Sequence, residues 1–597
     1  MGARALISPS VAFPSPETIE TSTSPQLTVV FPREGAKIPY VKRSFVYGNV
    51  RPATAQVKIN GNTIPVYRTG SFIGVIDFQP GSFPIYIESE MGEARSEVIR
   101  TVVVSSPTLP IPEGVLMIDL ESVEPSQDRV AIEGDFLNFR FRGSPECEAE
   151  YRPIKKGSKS KESDWKAMRE IKGSLGSVYQ GTEQVKPQYK EEDFSIEYRL
   201  TDSSKQKKIA RSSGKIKLLP QKVWGVAQVG VEEAVVKTGS STGGDSMGYA
   251  LFLPEGTPLI LDGQIGPEAR VFLSPTLRGW VAQSQLKEKN YFSSLPKSIL
   301  SSFHAYNNRP EGLSINFGLS SKVPYKAELG DDLKTFKITF FYTISNLDRM
   351  RYDLNGFLGF ARWNQSEENV VEMECRLNEK VWGYEIKYIG SQLEINFKFF
   401  KGKTSPKKKI KMVLAGLKIA LDPGHSARLG DGTISPKGVL EGDFNLLLAK
   451  QLQAALEKAG AQVFLTREDG KSVELEERKK SAIKESADLF LSLHANAVGY
   501  GANPMERRGH SLFYFSPQSL PLAQGIKSSF IKSFSLPDDG LYYGNLAVCR
   551  MTEMPSVLIE TGYLIHPQDE ELLLDENFRS KIAAAIVEGV QRFIKEW

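Results

Sequence analysis

Two histidines and two glutamates toward the C-terminal end of the chain have the types and surroundings of a hydrolytic metal site. His425 ends the run Ile419-Ala-Leu-Asp-Pro-Gly-His425, and Glu441 follows. His494 lies in Leu491-Ser-Leu-His494-Ala-Asn496, and Glu560 lies in Val557-Leu-Ile-Glu560-Thr-Gly562. Two neutral imidazoles and one carboxylate suit Zn2+, and a three-ligand set leaves a fourth position for water, whose pKa the ion lowers toward ~7. A second carboxylate beside that water serves as general base. On the residues alone, His425 and His494 supply the nitrogens, and either Glu441 or Glu560 completes the ligand set while the other remains as the base.

Such residues need rigid elements behind them. Residues 418–422, 488–493 and 556–559 are short apolar runs, each followed by a helical pattern, which predicts buried strands of a parallel sheet. His425, His494 and Glu560 then fall at or just beyond the carboxyl ends of three strands, where open α/β sheets form their sites. After Glu441, residues Leu448, Leu452, Ala455, Leu456 and Ala459 recur at helical spacing and Gly460 supplies a C-cap, so Glu441 stands on the shoulder of a helix.

Taken with Gly438-Val-Leu-Glu441, Leu465-Thr-Arg467 and Met554-Pro-Ser-Val-Leu-Ile-Glu560, these blocks resemble, in order, the zinc-dependent N-acetylmuramoyl-L-alanine amidases of the large bacterial cell-wall class. The resemblance covers residues 417–597. It implies that His425, Glu441 and His494 hold Zn2+ and that Glu560 is the catalytic glutamate. It further implies a twisted, mostly parallel sheet flanked by helices, and cleavage of the amide between the lactyl group of muramic acid and the L-alanine of the stem peptide. The implied partners are the glycan strands and stem peptides of peptidoglycan, with cell-wall or division-machinery proteins beside them. One departure is Ser426-Ala427, where the family continues with glycines. Some relatives carry a helix that covers the metal, but only residues 497–509 join His494 to the next strand, so no such plug is expected.

Bland readings stand beside these. His304, His510 and His566 are read as ordinary surface or core histidines. Glu441 alone would be a loop carboxylate. Glu560 ends an apolar strand, where an unpaired carboxylate costs several kcal/mol unless something uses it. Arg467 and Asn496 fit either a structural or a substrate-binding role.

At 597 residues the chain is too long for one core. It shows no apolar stretch long enough for a membrane span, and Cys147, Cys375 and Cys549 are too scattered for a disulfide framework. The net charge is +4, yet residues 416–597 hold about 20 basic and 24 acidic groups, so the positive excess lies in the accessory part. That excess would suit an anionic wall polymer, or simply a solubilising surface. No nucleic-acid role is expected, because the basic run at 401–409 stands beside an acidic domain. The substrate implied by the resemblance lies outside the cytoplasm, so export to the periplasm or cell wall is expected. Met1-Gly-Ala-Arg-Ala-Leu6 lacks a signal core, and a signal is inferred to have been removed or replaced.

The expected organisation is multidomain, several all-β modules followed by a C-terminal α/β domain. A disordered tail over 1–25 precedes an immunoglobulin-like sandwich over 26–110, in which Asn60-Gly61 makes a type I′ hairpin turn. A second sandwich spans 111–221 and a bacterial SH3-like module 222–290, the latter on Val235-Val-Lys-Thr-Gly239, Leu253-Pro-Glu-Gly256 and Gly279-Trp280-Val281. An AMIN-like targeting sandwich spans 291–400. In it Trp363, Trp382 and Tyr384 are read as core more readily than as sugar platforms. A basic linker at 401–414 leads into the catalytic domain, 415–597. The β modules carry none of the matched motifs and are expected to target the enzyme rather than to build its site. Two readings compete with the amidase: a zinc carboxypeptidase or endopeptidase acting within the stem peptide, and a non-catalytic wall-binding protein.

Overall fold

The computed structural model describes residues 24–155, 161–186, 191–219, 225–241, 248–290, 296–309, 312–353, 356–400 and 412–597. Residues 1–23 of the expected tail and 401–411 of the linker lie outside them.

Alternating apolar residues build the first β-sandwich. A three-stranded sheet, with Arg43–Arg51 between Gln26–Phe31 and Ser71–Asp77, faces a five-stranded sheet centred on Gly81–Met91 and Ala94–Val104. Val46, Val50 and Phe72 of one sheet pack on Val57, Ile59, Ile85 and Ile87 of the other. The turn at Asn60-Gly61 has φ of 48° and 78°, the positive pair that a type I′ hairpin needs.

All-β structure continues to Phe399. Phe139, Phe141 and Tyr179 meet Tyr151, Ile196 and Tyr198 in a second core. Hydrogen bonding then runs on across the boundary expected at 221/222, because Arg129–Ile132 pairs with Pro258–Ile265. Packing also crosses the one expected at 290/291: strands from Gly225 onward share a single core with those from Ser298 to Phe399. Tyr384 is buried there, Trp382 is buried in the core of the C-terminal domain, and Trp363 is half-exposed. Trp382 stacks on Phe400 at 4.3 Å and donates from Nε1 to the Asp488 carbonyl at 2.9 Å, which ties this sandwich to the C-terminal domain.

The C-terminal domain is α/β. Its six-stranded sheet runs Gln462–Leu465, Lys418–Pro423, Leu489–Asn496, Ser556–Tyr563, His510–Tyr514, Asp538–Tyr543. The first four strands are parallel, whereas His510–Tyr514 runs antiparallel to Ser556–Tyr563 and makes the sheet mixed. The two-residue period of the strands divides the core. Ile419, Leu421, Leu491, Val557 and Ile559 face helices α1 (Glu441–Lys458), α3 (Leu520–Ser533) and α5 (Glu576–Glu596). Ala420, Phe490 and Leu558 face the other side, which Ala482 of α2 (Leu475–Lys484) and Val548 cover. Among the described residues no helix is long and apolar enough to cross a membrane, and all three cysteines are free.

Candidate metal centre

His425, Glu441 and His494 converge. One potential ligand atom from each lies within 4.8 Å of the others. Glu441 sits between the imidazoles, with Oε1 at 3.2 Å from His494 Nδ1 and 3.5 Å from His425 Nε2, and the two rings stand at 82°. Burial by itself would push the Glu441 carboxyl up. The His494 hydrogen bond, the charge of both histidines and the Thr433 N–H outweigh it, and the group sits below its ordinary value. Burial would likewise lower His494, but the Glu441 hydrogen bond and the charges of Glu560, Glu441 and Asp422 raise it. Proton and metal would compete for this nest of charge.

The loop between the first two of these residues does the aiming. His425 has left the strand with φ of 57°, a left-handed conformation that a non-glycine residue adopts at a cost of about 1 kcal/mol. Asp431 accepts from its Nδ1 at 2.9 Å and from the Ser426 hydroxyl at 2.5 Å, leaving Nε2 toward Glu441. This is the carboxylate support that metal-binding histidines usually have. The Ser426-Ala427 departure therefore has a local use, since Ser426 shares the Asp431 carboxylate. Arg478 donates to the His425 carbonyl at 3.0 Å and pairs with buried Asp422 at 2.8 Å, and Asp422 also accepts from Thr466 and Ser492. Two glycines are required by space. A Cβ on Gly424 would lie 2.2 Å from the His494 ring, and one on Gly432 would lie 2.8 Å from both Glu441 Oε2 and His425 Cγ.

Glu560 stands beside His494 on the neighbouring strand, in direct register. Its Oε2 is buried with no hydrogen-bond partner. Burial raises its pKa to about 7, with His494 opposing and Glu441 adding to the rise. Arg467 is structural: it is buried and donates to the carbonyls of Pro423, Gly424 and Gly442. Asn496 Oδ1 accepts from the adjacent Ala497 N–H. The other histidines stand apart. His510 is a core ring against Phe530 and Phe534, held low by burial, His566 accepts from Gln568 N–H at the start of helix α4 (Pro567–Leu574), and His304 is exposed on its strand.

Residues 419–592 match the family model described as N-acetylmuramoyl-L-alanine amidase. This part of the chain belongs to that amidase family. Over 181 residues it is 34% identical to the probable cell wall amidase LytH of Staphylococcus epidermidis, covering 30% of this chain and 59% of that protein. The LytH of Staphylococcus aureus is 35% identical over 184 residues, 31% of this chain and 60% of its own length. The chain thus spans less than two thirds of these relatives. Among solved structures, the N-acetylmuramoyl-L-alanine amidase AmiC2 of Nostoc punctiforme is 30% identical, with 30% of this chain and 99% of that one aligned and a TM-score of 0.28.

The amidase domain is packed against the first β module. The first sandwich is docked on the loop that joins His425 to Glu441. Tyr47 donates its hydroxyl to the Ile434 carbonyl and Asn49 its amide to the Pro436 carbonyl, both at 2.8 Å. Buried Glu570 of α4 accepts from Ser71 of the sandwich at 2.6 Å and from Lys437 N–H of the loop at 2.8 Å. Phe45, Tyr47 and Ile73 bury Ile565, with Val498 and Met505 of the short 497–509 connection packed against them. A wall of the first module rises beside the amidase site.

Proposed function

We propose that the chain is a peptidoglycan hydrolase, a zinc-dependent N-acetylmuramoyl-L-alanine amidase that frees the stem peptide from muramic acid. The observation that carries this reading is the convergence of two imidazoles and the Glu441 carboxylate, inside the matched family segment, beside a buried carboxylate that has an unpartnered oxygen.

The donor set fits Zn2+. His425 and His494 offer imidazole nitrogens, Glu441 a carboxylate oxygen, and the glycines at 424 and 432 leave space that a Cβ would fill. His425, Glu441 and His494 would hold the ion, and the chemistry it would supply there is Lewis acidity toward an amide carbonyl and a water. Asp431 and Arg478 hold His425 in its strained conformation while the reaction proceeds. Glu560 takes the proton of the attacking water, which its raised pKa favours near neutral pH, and returns it to the nitrogen of L-alanine as the C–N bond breaks. The fixed His494–Glu560 register keeps base and ligand side by side throughout.

Export to the periplasm or cell wall follows from the substrate. The β modules are proposed to be immunoglobulin-like (26–110), a second sandwich (111–221), SH3-like (222–290) and AMIN-like (291–400), holding the enzyme on an insoluble polymer. Linked weak sites of this kind can raise avidity by about 10^2-fold or more. The test is to incubate the zinc-loaded protein with purified peptidoglycan and label newly exposed amino groups. L-Alanine is expected as the labelled residue. Labelling at other stem-peptide residues would favour the endopeptidase reading, and none at all, with zinc bound, the non-catalytic one.

A further inference from the structure

A cleft of about 390 Å3 opens between the first sandwich and the amidase domain, in the size range of small-ligand sites. One wall comes from Val30, Phe31, Arg33 and Phe45 of the sandwich, and the other from the loops Gly430–Ile434 and Ala497–Tyr500. Those two loops follow His425 and His494 respectively. Gly432 lines the cleft and also abuts the metal centre, because a Cβ there would lie 2.8 Å from both Glu441 Oε2 and His425 Cγ. The cleft therefore borders the loops that carry the metal centre.

The lining states what kind of molecule suits it. Its floor is aromatic and aliphatic: Phe31 stacks with Phe45 at 5.1 Å and with Tyr47 at 5.3 Å, and the half-exposed Tyr500 closes on Phe31 at 5.6 Å. No Asp, Glu, Asn or Gln lines it, and the Tyr47 hydroxyl is already committed to Ile434. A sugar ring, edged by hydroxyls, would find few side chains to bond there. The glycines at 430, 432 and 499 instead expose main chain to an incoming peptide backbone. At the rim the exposed Arg33 guanidinium makes no ion pair or hydrogen bond among the described residues, while its neighbour Glu34 is occupied with Thr101 N–H. One unpaired cation over an apolar floor fits a peptide of small apolar residues that carries a free carboxylate.

We propose that this interdomain cleft seats the stem-peptide side of the substrate, with Arg33 of the first sandwich binding a peptide carboxylate. The assignment rests on the amidase reading and makes the N-terminal module part of the substrate site rather than a tether. It also gives the docking of Tyr47, Asn49 and Ser71 a purpose, because it fixes the two walls relative to each other.

The test uses the full chain loaded with zinc, as wild type, Arg33→Gln and Arg33→Lys. Substrates are a soluble muramoyl tripeptide in its free-acid form and the same compound with its peptide carboxyls converted to carboxamides. Wild type is expected to prefer the acid form through KM. Arg33→Gln is expected to raise KM for the acid form by about tenfold or more, the size of a charge-assisted hydrogen bond, and so erase the preference, with Arg33→Lys recovering part of it. Calorimetric binding of the free acid tripeptide to wild type and Arg33→Gln gives a second readout that needs no turnover. Cleavage whose KM is indifferent to Arg33, or a loss equal on acid and carboxamide forms, would overturn the assignment. So would a dependence on added sugar units in place of the carboxylate. If neither substrate is cut but the free tripeptide binds in an Arg33-dependent way, the amidase reading fails and the cleft assignment stands.

Discussion

Replacing Asp431 with Asn isolates how the loop serves the metal centre. Asp431 is not a candidate ligand. It accepts from His425 Nδ1 at 2.9 Å and from Ser426 Oγ at 2.5 Å. The change conserves shape but turns a carboxylate into an amide, so the His425 ring loses the charge that fixes its tautomer and aim. Removing such carboxylate support from a metal-bound histidine typically weakens affinity 10- to 100-fold, roughly 1.4 to 2.7 kcal/mol. His425 also sits at φ of 57°, a conformation worth about 1 kcal/mol of strain that Asp431 and Arg478 together hold in place. Asp431→Asn is therefore expected to raise the zinc Kd by about one to two orders of magnitude, measured by competition with a chromophoric chelator. Thermal stability of the metal-free protein should change little, because the group is partly exposed. Activity at saturating zinc should recover most of its loss. An unchanged zinc Kd would refute the reasoning, and so would a large drop in metal-free stability, which would make Asp431 a folding residue instead.

Gly424→Ala is expected to abolish activity and zinc binding while the β modules stay folded, since the added Cβ would stand 2.2 Å from the His494 ring; normal zinc content in that variant would show that the ring can move aside. For pH, burial raises Glu560 to about 7, so the base is protonated and idle below that value and ionised above it. Log kcat/KM should climb with pH and level off near 7, or lower once a cation is bound beside the carboxylate, and Glu560→Gln should remove that acid limb along with about 10^2-fold or more of the rate. An acid limb that survives in Glu560→Gln would show that Glu560 is not the group responsible for it.

Local features of the catalytic domain were legible in the sequence for a physical reason. Runs such as Ile419-Ala-Leu-Asp422 and Val557-Leu-Ile559 are apolar on both faces because helices cover both, and the turn at Asn60-Gly61 needs φ values that few residue pairs supply. The antiparallel His510–Tyr514 strand was less legible, since strand direction is set by how the 497–509 connection crosses the sheet edge. The role of Asp431 is not legible in the sequence. A metal-binding histidine calls for a nearby carboxylate, but Asp422 is closer in sequence, and only the folded loop shows Asp422 turned to Arg478, Thr466 and Ser492. The docking of the first sandwich was illegible: Tyr47 and Ile434 are 387 residues apart, and the backbone carbonyls that accept its hydrogen bonds have no signature in residue type.

The residue types alone left Glu441 and Glu560 interchangeable, and the division of labour between them is the centre of the proposed chemistry. Zinc stoichiometry measured alongside turnover in Glu441→Gln and Glu560→Gln tests it most directly. Glu441, with Oε1 at 3.2 Å and 3.5 Å from the two imidazoles, is expected to be needed for the ion, so its variant should lose zinc and activity together. The Glu560 variant should keep close to one zinc per chain and lose the rate alone. The opposite pattern, zinc retained without Glu441 and lost without Glu560, would contradict the assignment of ligand and base.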